Sequence, residues 1–332
     1  FTLACQSTSA VDGAPLDCIA NLRPTNSASV QYELRHDSLT KAHSLSAVNT
    51  KEFYEPKVIA GDNDSDLMNA KRIADEAMTP PLDPPSSTEQ VARRLATDTN
   101  DILDLFIVWS PEAEAVAGSA NAMSLYIQLA VDEANYVLEN SQVELRLRIK
   151  TAMRTIDGSY TEPGGSLSNI LEQATKYGAS DIDFDDEQAM RYTEQADALV
   201  IIAGAVTGGQ CGVAWLKTYD AFPAYYTVSV SALDCLSGYG TMIHELGHNL
   251  GSTHDLSASS VGDGFRDYSH GYCWDRSAAT SCDDTCGRST MAYSTCTTPL
   301  NCSDCDRYDT FSNPDVYLDG SPTGTAAINN AR

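Results

Sequence analysis

The chain has 332 residues, 42% apolar and 20% charged, which allows a sizeable core and about two domains. Its 46 acidic and 21 basic residues give a formal net charge of -25, which argues against nucleic acid as a partner, because phosphate binding needs clustered Lys and Arg. The longest apolar run, Ala198 to Ala203, falls far short of the roughly 18 residues a membrane span needs, so no span is expected.

In chain order, Phe1 is not an initiator methionine, so any signal peptide is expected to lie outside this numbering. Residues 1–79 are polar and weakly periodic, and Thr79 to Ser87 (TPPLDPPSS) carries four prolines and reads as a linker. Arg93-Arg94 follows, a dibasic pair suited either to proteolytic processing or to solvated surface. The chain therefore divides into residues 1–94, a propeptide or accessory region, and residues 95–332, the main domain.

From there the pattern is regular. Ile102 to Trp109 is an apolar run suited to a buried strand, and Ser110-Pro111-Glu112 supplies an N-cap, a first-position proline and an early acid. Met123, Ile127, Ala130, Val131, Ala134, Val137 and Leu138 recur at helical spacing, and Val143 to Ile149 alternates as a half-buried strand. Ser166 to Tyr177 reads as a helix ending at Gly178. Asp181, Asp183, Asp185, Asp186 and Glu187 form a dense acidic run, read as a solvated loop with a Ca2+ site as the alternative, since it lacks the glycine and distal Glu of a calcium-binding loop. Ala198 to Ala203 and Tyr225 to Val230 read as further strands. Alternating helices and strands predict an α/β fold with a mostly parallel sheet.

Ten cysteines stand at 5, 18, 211, 235, 273, 282, 286, 296, 302 and 305, and the last six lie within 33 residues. A second metal site would favour paired C-x-x-C units, and only Cys302 and Cys305 have that spacing. Disulfides in an oxidising, extracellular compartment are the better reading, and the sequons at Asn63 and Asn301 fit a secreted protein.

The chemistry concentrates in Thr241 to Asp255, TMIHELGHNLGSTHD. His244 and His248 are four residues apart, which on a helix puts both imidazoles on one face. Glu245 beside them is free to act as general base on a metal-held water. Gly251 can adopt positive φ and turn the chain back, so that His254 becomes the third ligand and a fourth position stays open. The eleven-residue H-E-x-x-H-x-x-G-x-x-H string is specific for one catalytic Zn2+. His36, His43 and His270 lack such partners and read as ordinary histidines.

This string resembles that of the metzincin endopeptidases, and Asp255 after the third histidine is similar to the reprolysin or adamalysin branch. The opening LDLFIVWSPEAEA and the closing FSNPDVYLDGSPTG are similar to bacterial members, including the peptidyl-Asp metalloendopeptidases. The resemblance covers roughly residues 101–332 and implies a twisted sheet with long helices, an active-site helix, a Met-turn and a disulfide-rich C-terminal subdomain. It implies that Asp255 is a buried structural acceptor, that Met291 in STMAY is the floor under the metal, and that Tyr293 is either an oxyanion donor or a core tyrosine. Protein or peptide substrate would bind as an extended strand along an edge near Gly208 to Leu216, bracketed by Cys211 and Cys235, which are expected to pair. Three bridges are expected among the six later cysteines.

The resemblance also implies a zymogen in which residues 1–94 act as an intramolecular inhibitor, with Cys18, Asp62, His36 or His43 blocking the zinc. A Cys5–Cys18 bridge is the competing reading. The contrasting function is a catalytically silent binding or adhesion module on the same fold.

Overall fold

The structure, a computed structural model, describes residues 102–155, 157–164, 166–175, 184–204, 210–275, 286–296, 302, 305–318 and 320–331, together with the backbone of four strands between residues 2 and 49. Those strands, β1 (Thr2–Ser7), β2 (Leu16–Leu22), β3 (Val30–Asp37) and β4 (Ala42–Asn49), form an antiparallel sheet in the order of the chain. Its register sets Cys5 opposite Cys18 and His36 opposite His43. Asp62, the proline-rich linker, Arg93-Arg94 and both sequons lie outside the described residues.

β5 (Ile102–Trp109) begins the main sheet. It falls on the predicted residues because a strand covered on both faces is a nearly continuous apolar run; its one charged residue, the buried Asp104, is paired with Arg148 and Lys150. Ser110 then caps helix α1 (Pro111–Ala117) by accepting from Ala113 N at 2.9 Å. Helix α2 (Ala120–Asn140) buries all seven residues of its predicted stripe. β6 (Arg146–Arg154), α3 (Leu167–Gln173), α4 (Asp185–Glu194), β7 (Ala198–Ala203), β8 (Gly212–Ala214) and β9 (Val228–Ala232) follow. The short α5 (Leu233–Leu236) leads into α6 (Thr241–Leu250).

The main sheet runs β6-β5-β7-β9-β8, parallel except for the edge strand β8. Alternate residues feed two cores. Leu105, Ile107, Val200 and Ile202 pack on the side of α2 and α6, while Phe106, Val108, Leu199 and Ile201 pack on the side of α3.

Three expectations shift. The helix expected over 166–177 stops at Gln173, with Ala174 as its C-cap. The strand expected over 225–230 begins at Val228 after a 3-10 turn, Ala224–Tyr226, and continues through Ser229 and Ser231, which are fully buried despite their hydroxyls. Asp185, Asp186 and Glu187 are the first turn of α4 rather than a loop, where carboxylates meet the positive end of the helix dipole. Asp181 and Asp183 lie outside the described residues. Among the described residues, the groups able to hold a metal are His244, His248 and His254, and Cys286, Cys302 and Cys305, and neither includes Asp185, Asp186 or Glu187. Cys286 and Cys305 are bonded to each other and Cys302 is also disulfide-bonded, so the second group is covalent chemistry.

The C-terminal part is organised by small strands and bridges. β10 (Cys273–Asp275) pairs with β11 (Cys286–Arg288), which pairs in parallel with β12 (Asp306–Arg307). Bridges join Cys211 to Cys235 as expected, Cys273 to Cys296 and Cys286 to Cys305. The hairpin β13 (Tyr317–Leu318) and β14 (Ser321–Pro322) follows. No helix among the described residues is long and apolar enough to cross a membrane.

Candidate metal centre

Helix α6 is buried from Thr241 to Asn249 and is held from several directions. Asn249 Nδ2 donates to Trp215 O at 2.9 Å and to Val228 O at 3.0 Å, tying the helix to the sheet edge. The helix ends at Gly251, whose φ of 103° is a left-handed conformation that only glycine adopts freely. A Cβ there would also collide with the Phe265 side chain. The chain turns at this point and brings His254 to face the two helical histidines.

The three imidazoles stand with ring centres 4.8, 5.3 and 4.7 Å apart. His244 Nδ1 donates to Thr290 O at 2.8 Å, and His248 Nδ1 donates to Ser252 O at 2.8 Å. Each bond fixes the tautomer and leaves Nε2 as a bare lone pair aimed inward. His244 Nε2 and His254 Nε2 face each other at 3.3 Å. Two ligand atoms at about 2.0–2.1 Å on a tetrahedral ion stand about 3.3–3.4 Å apart, so this spacing fits one edge of a zinc tetrahedron. Burial, then repulsion from neighbouring rings, holds His244 and His254 well below the ordinary histidine range. Burial takes His248 down to about 4. All three are neutral near pH 7, as metal ligands must be.

Glu245 is 2% exposed. Burial pushes its carboxyl up to about 8, against an opposing pull from the Arg307 guanidinium. The carboxyl rests against Gly212 on the edge strand: a Cβ there would lie 2.7 Å from Glu245 Cγ and Cδ, with Oε1 nearer still. We therefore predict that Gly212→Ala displaces Glu245 and lowers kcat by about 10²-fold, the typical cost of a misplacement near 1 Å, while bound zinc stays at the wild-type level. Steady-state rates beside metal analysis check this, and a rate within threefold of wild type would show that Glu245 does not depend on the missing Cβ.

Asp255 is buried, and its carboxylate accepts from Ser257 N at 2.8 Å and from Tyr293 N at 2.9 Å. It holds the segment after Met291 against the segment after His254. Met291 is fully buried, and a Cβ on Gly247 would lie 2.7 Å from its Sδ, so its thioether fills the space beneath the helix between His244 and His248. The Tyr293 ring stacks on His254 with centres 4.4 Å apart. His270 is a core histidine with Nδ1 3.1 Å from both Ser259 Oγ and His254 O.

The sequence pattern points to His244, His248, His254, Glu245, Asp255, Met291 and Tyr293, and the structure brings them together. It does not point to Gly212, Asn249, Thr290 or Arg307. Gly212 lies in the predicted edge segment, Asn249 in the zinc string and Thr290 beside Met291, whereas Arg307 is joined to the site only through tertiary contacts.

A reprolysin-type family model described as metallo-peptidase family M12 matches residues 101–306. A peptidyl-Asp metalloendopeptidase of Stenotrophomonas maltophilia strain K279a is 29% identical over 268 residues, covering 80% of this chain and 57% of the relative. The same-named protein of Xanthomonas campestris pv. campestris is 28% identical, covering 80% and 56%. The chain thus spans a little over half the length of these curated relatives. A solved structure described as a chaperone-substrate complex aligns with a TM-score of 0.50 at 22% identity, covering 70% of this chain and 33% of that one, which bears on the fold alone.

Proposed function

Because the chain belongs to metallo-peptidase family M12, we propose that it is a secreted zinc endopeptidase, made as a zymogen, that hydrolyses peptide bonds at aspartyl residues. The observation that carries the reading is the facing pair of Nε2 atoms, His244 and His254, 3.3 Å apart with His248 beside them. The choice of aspartyl bonds rests on the peptidyl-Asp relatives.

His244, His248 and His254 would hold the metal. Zinc, when bound, supplies Lewis acidity, polarising the carbonyl and bringing the pKa of a water down to about 7. Glu245 takes the proton of the attacking water and returns it to the leaving amine. Its place between the histidines and the edge strand supports that role. We assign Met291 as a Met-turn floor and the Tyr293 hydroxyl as an oxyanion donor; the stacking of its ring on His254 supports its nearness to the reacting carbonyl. The substrate adds as a strand along β8, the edge of the sheet.

Residues 1–94 are proposed as the inhibitor of this site. The register that sets Cys5 opposite Cys18 favours a bridge between them over a Cys18 switch, which leaves Asp62, His36 or His43 as the blocking group. Disulfides Cys211–Cys235, Cys273–Cys296 and Cys286–Cys305 support an extracellular setting.

The test is hydrolysis of a casein-derived peptide mixture by the full chain, before and after a trypsin-like cut near Arg94. Hydrolysis is expected to rise after the cut, to stop with a chelator and to return with added zinc. Zinc-loaded protein that cleaves nothing in either form would make this a binding module. Equal activity before and after the cut would make residues 1–94 an accessory domain.

A further inference from the structure

Arg307 closes strand β12, 67 residues after Gly240, the N-cap of the active helix. Its Nη2 donates to Gly240 O at 3.2 Å and to Thr290 O at 3.3 Å. Those two carbonyls also hold His244: its backbone N–H donates to Gly240 O at 3.1 Å and its Nδ1 to Thr290 O at 2.8 Å. The guanidinium therefore lies at the N-terminal mouth of α6, on the side of His244 and Glu245, and it is only partly buried.

The chemistry gives this side a meaning. The base that takes a proton from water delivers it to the leaving amine, so the half of the substrate that departs as the amine lies beside Glu245. The residue just after the cleaved bond must then reach towards Arg307. An acidic side chain approaching a protein of net charge -25 meets repulsion on average and needs a local cation to settle. Among the other cations of the described residues, Arg288 donates to Cys305 O at 3.0 Å and Ala292 O at 2.7 Å, while Lys217 and Arg266 both gather on Phe265 beside Gly251, with Lys217 Nζ 4.7 Å and the Arg266 guanidinium 3.8 Å from its ring centre. That is the opposite end of a ten-residue helix, about 15 Å away. Arg266 is also paired with Asp220 at 3.0 Å.

We propose that Arg307 is the specificity-determining residue that recognises an acidic side chain immediately after the cleaved bond. The inference rests on the peptidase reading above and goes further by naming the group that reads the substrate. A guanidinium suits this role because it stays charged at any working pH and its contacts with carboxylates are charge-assisted.

The test uses the activated full chain and two peptides that differ only in Asp or Asn after the cleaved bond. The ratio of their kcat/KM values is measured for wild type, Arg307→Gln and Arg307→Lys, with zinc content determined for each. Wild type is expected to favour Asp, and Arg307→Gln to cut that ratio by about 10–100-fold, the scale of losing a charge-assisted contact. Arg307→Lys keeps a point charge without the planar fork and should cut it by less. If Arg307→Gln fails to fold, Arg307→Lys supplies the reading. A purely structural role would lower both rates together and leave the ratio alone, which overturns the assignment. Wild type that cleaves neither peptide refutes the peptidase reading instead. Wild type that cleaves both equally refutes the acidic preference and the role of Arg307 with it.

Discussion

Glu245→Gln is expected to lower kcat by roughly 10²–10⁴-fold, the usual contribution of a positioned general base, while zinc content stays at the wild-type level. The amide has the shape of the carboxylate and cannot take the proton. The metal should be indifferent to the change, because the proposed donors are the three imidazoles, two of them fixed by their own bonds to Thr290 O and Ser252 O. Burial keeps Glu245 in a site shared with Gly212 rather than in solvent. The check is a pre-steady-state rate beside metal analysis of the same sample. A variant within tenfold of wild type would remove Glu245 from the mechanism, and a variant that loses zinc would make it a ligand.

His254→Ala should be the more drastic change, lowering zinc affinity by more than the roughly 10–100-fold that losing an outer-sphere partner costs. His254 supplies one side of the 3.3 Å pair, and its removal leaves the two histidines of the helix alone. It also removes the ring on which Tyr293 stacks. Competition against a chelator of known affinity measures the effect. Wild-type affinity in the variant would mean that another residue completes the shell.

The zinc string was legible because it is local. A helix puts residues four apart on one face, and Gly251 announces the turn that returns His254. β5 and β7 were legible to the residue because burial on both faces makes them nearly continuous apolar runs, broken only by Asp104, which is paired with Arg148 and Lys150. β9 was harder: the strand expected over 225–230 lies at Val228–Ala232, because Tyr225 and Tyr226 belong to a 3-10 turn and the polar Ser231 is fully buried within the strand. The end of α3 was misplaced because no proline or glycine marks Gln173, and the helix stops where tertiary packing takes over. Arg307 gave no signal, since its bonds to Gly240 O and Thr290 O exist only after the chain has folded.

The parallel pairing of β11 with β12 and the Cys286–Cys305 bridge have a consequence for how the site is held together. The three imidazoles and Glu245 come from one continuous stretch, 244–254, whereas Met291, Tyr293 and Arg307 arrive on or just beyond the segment that this bridge clamps. The covalent link removes chain freedom that packing alone would otherwise have to overcome, so irregular backbone with only two short strands can press these side chains against the helix.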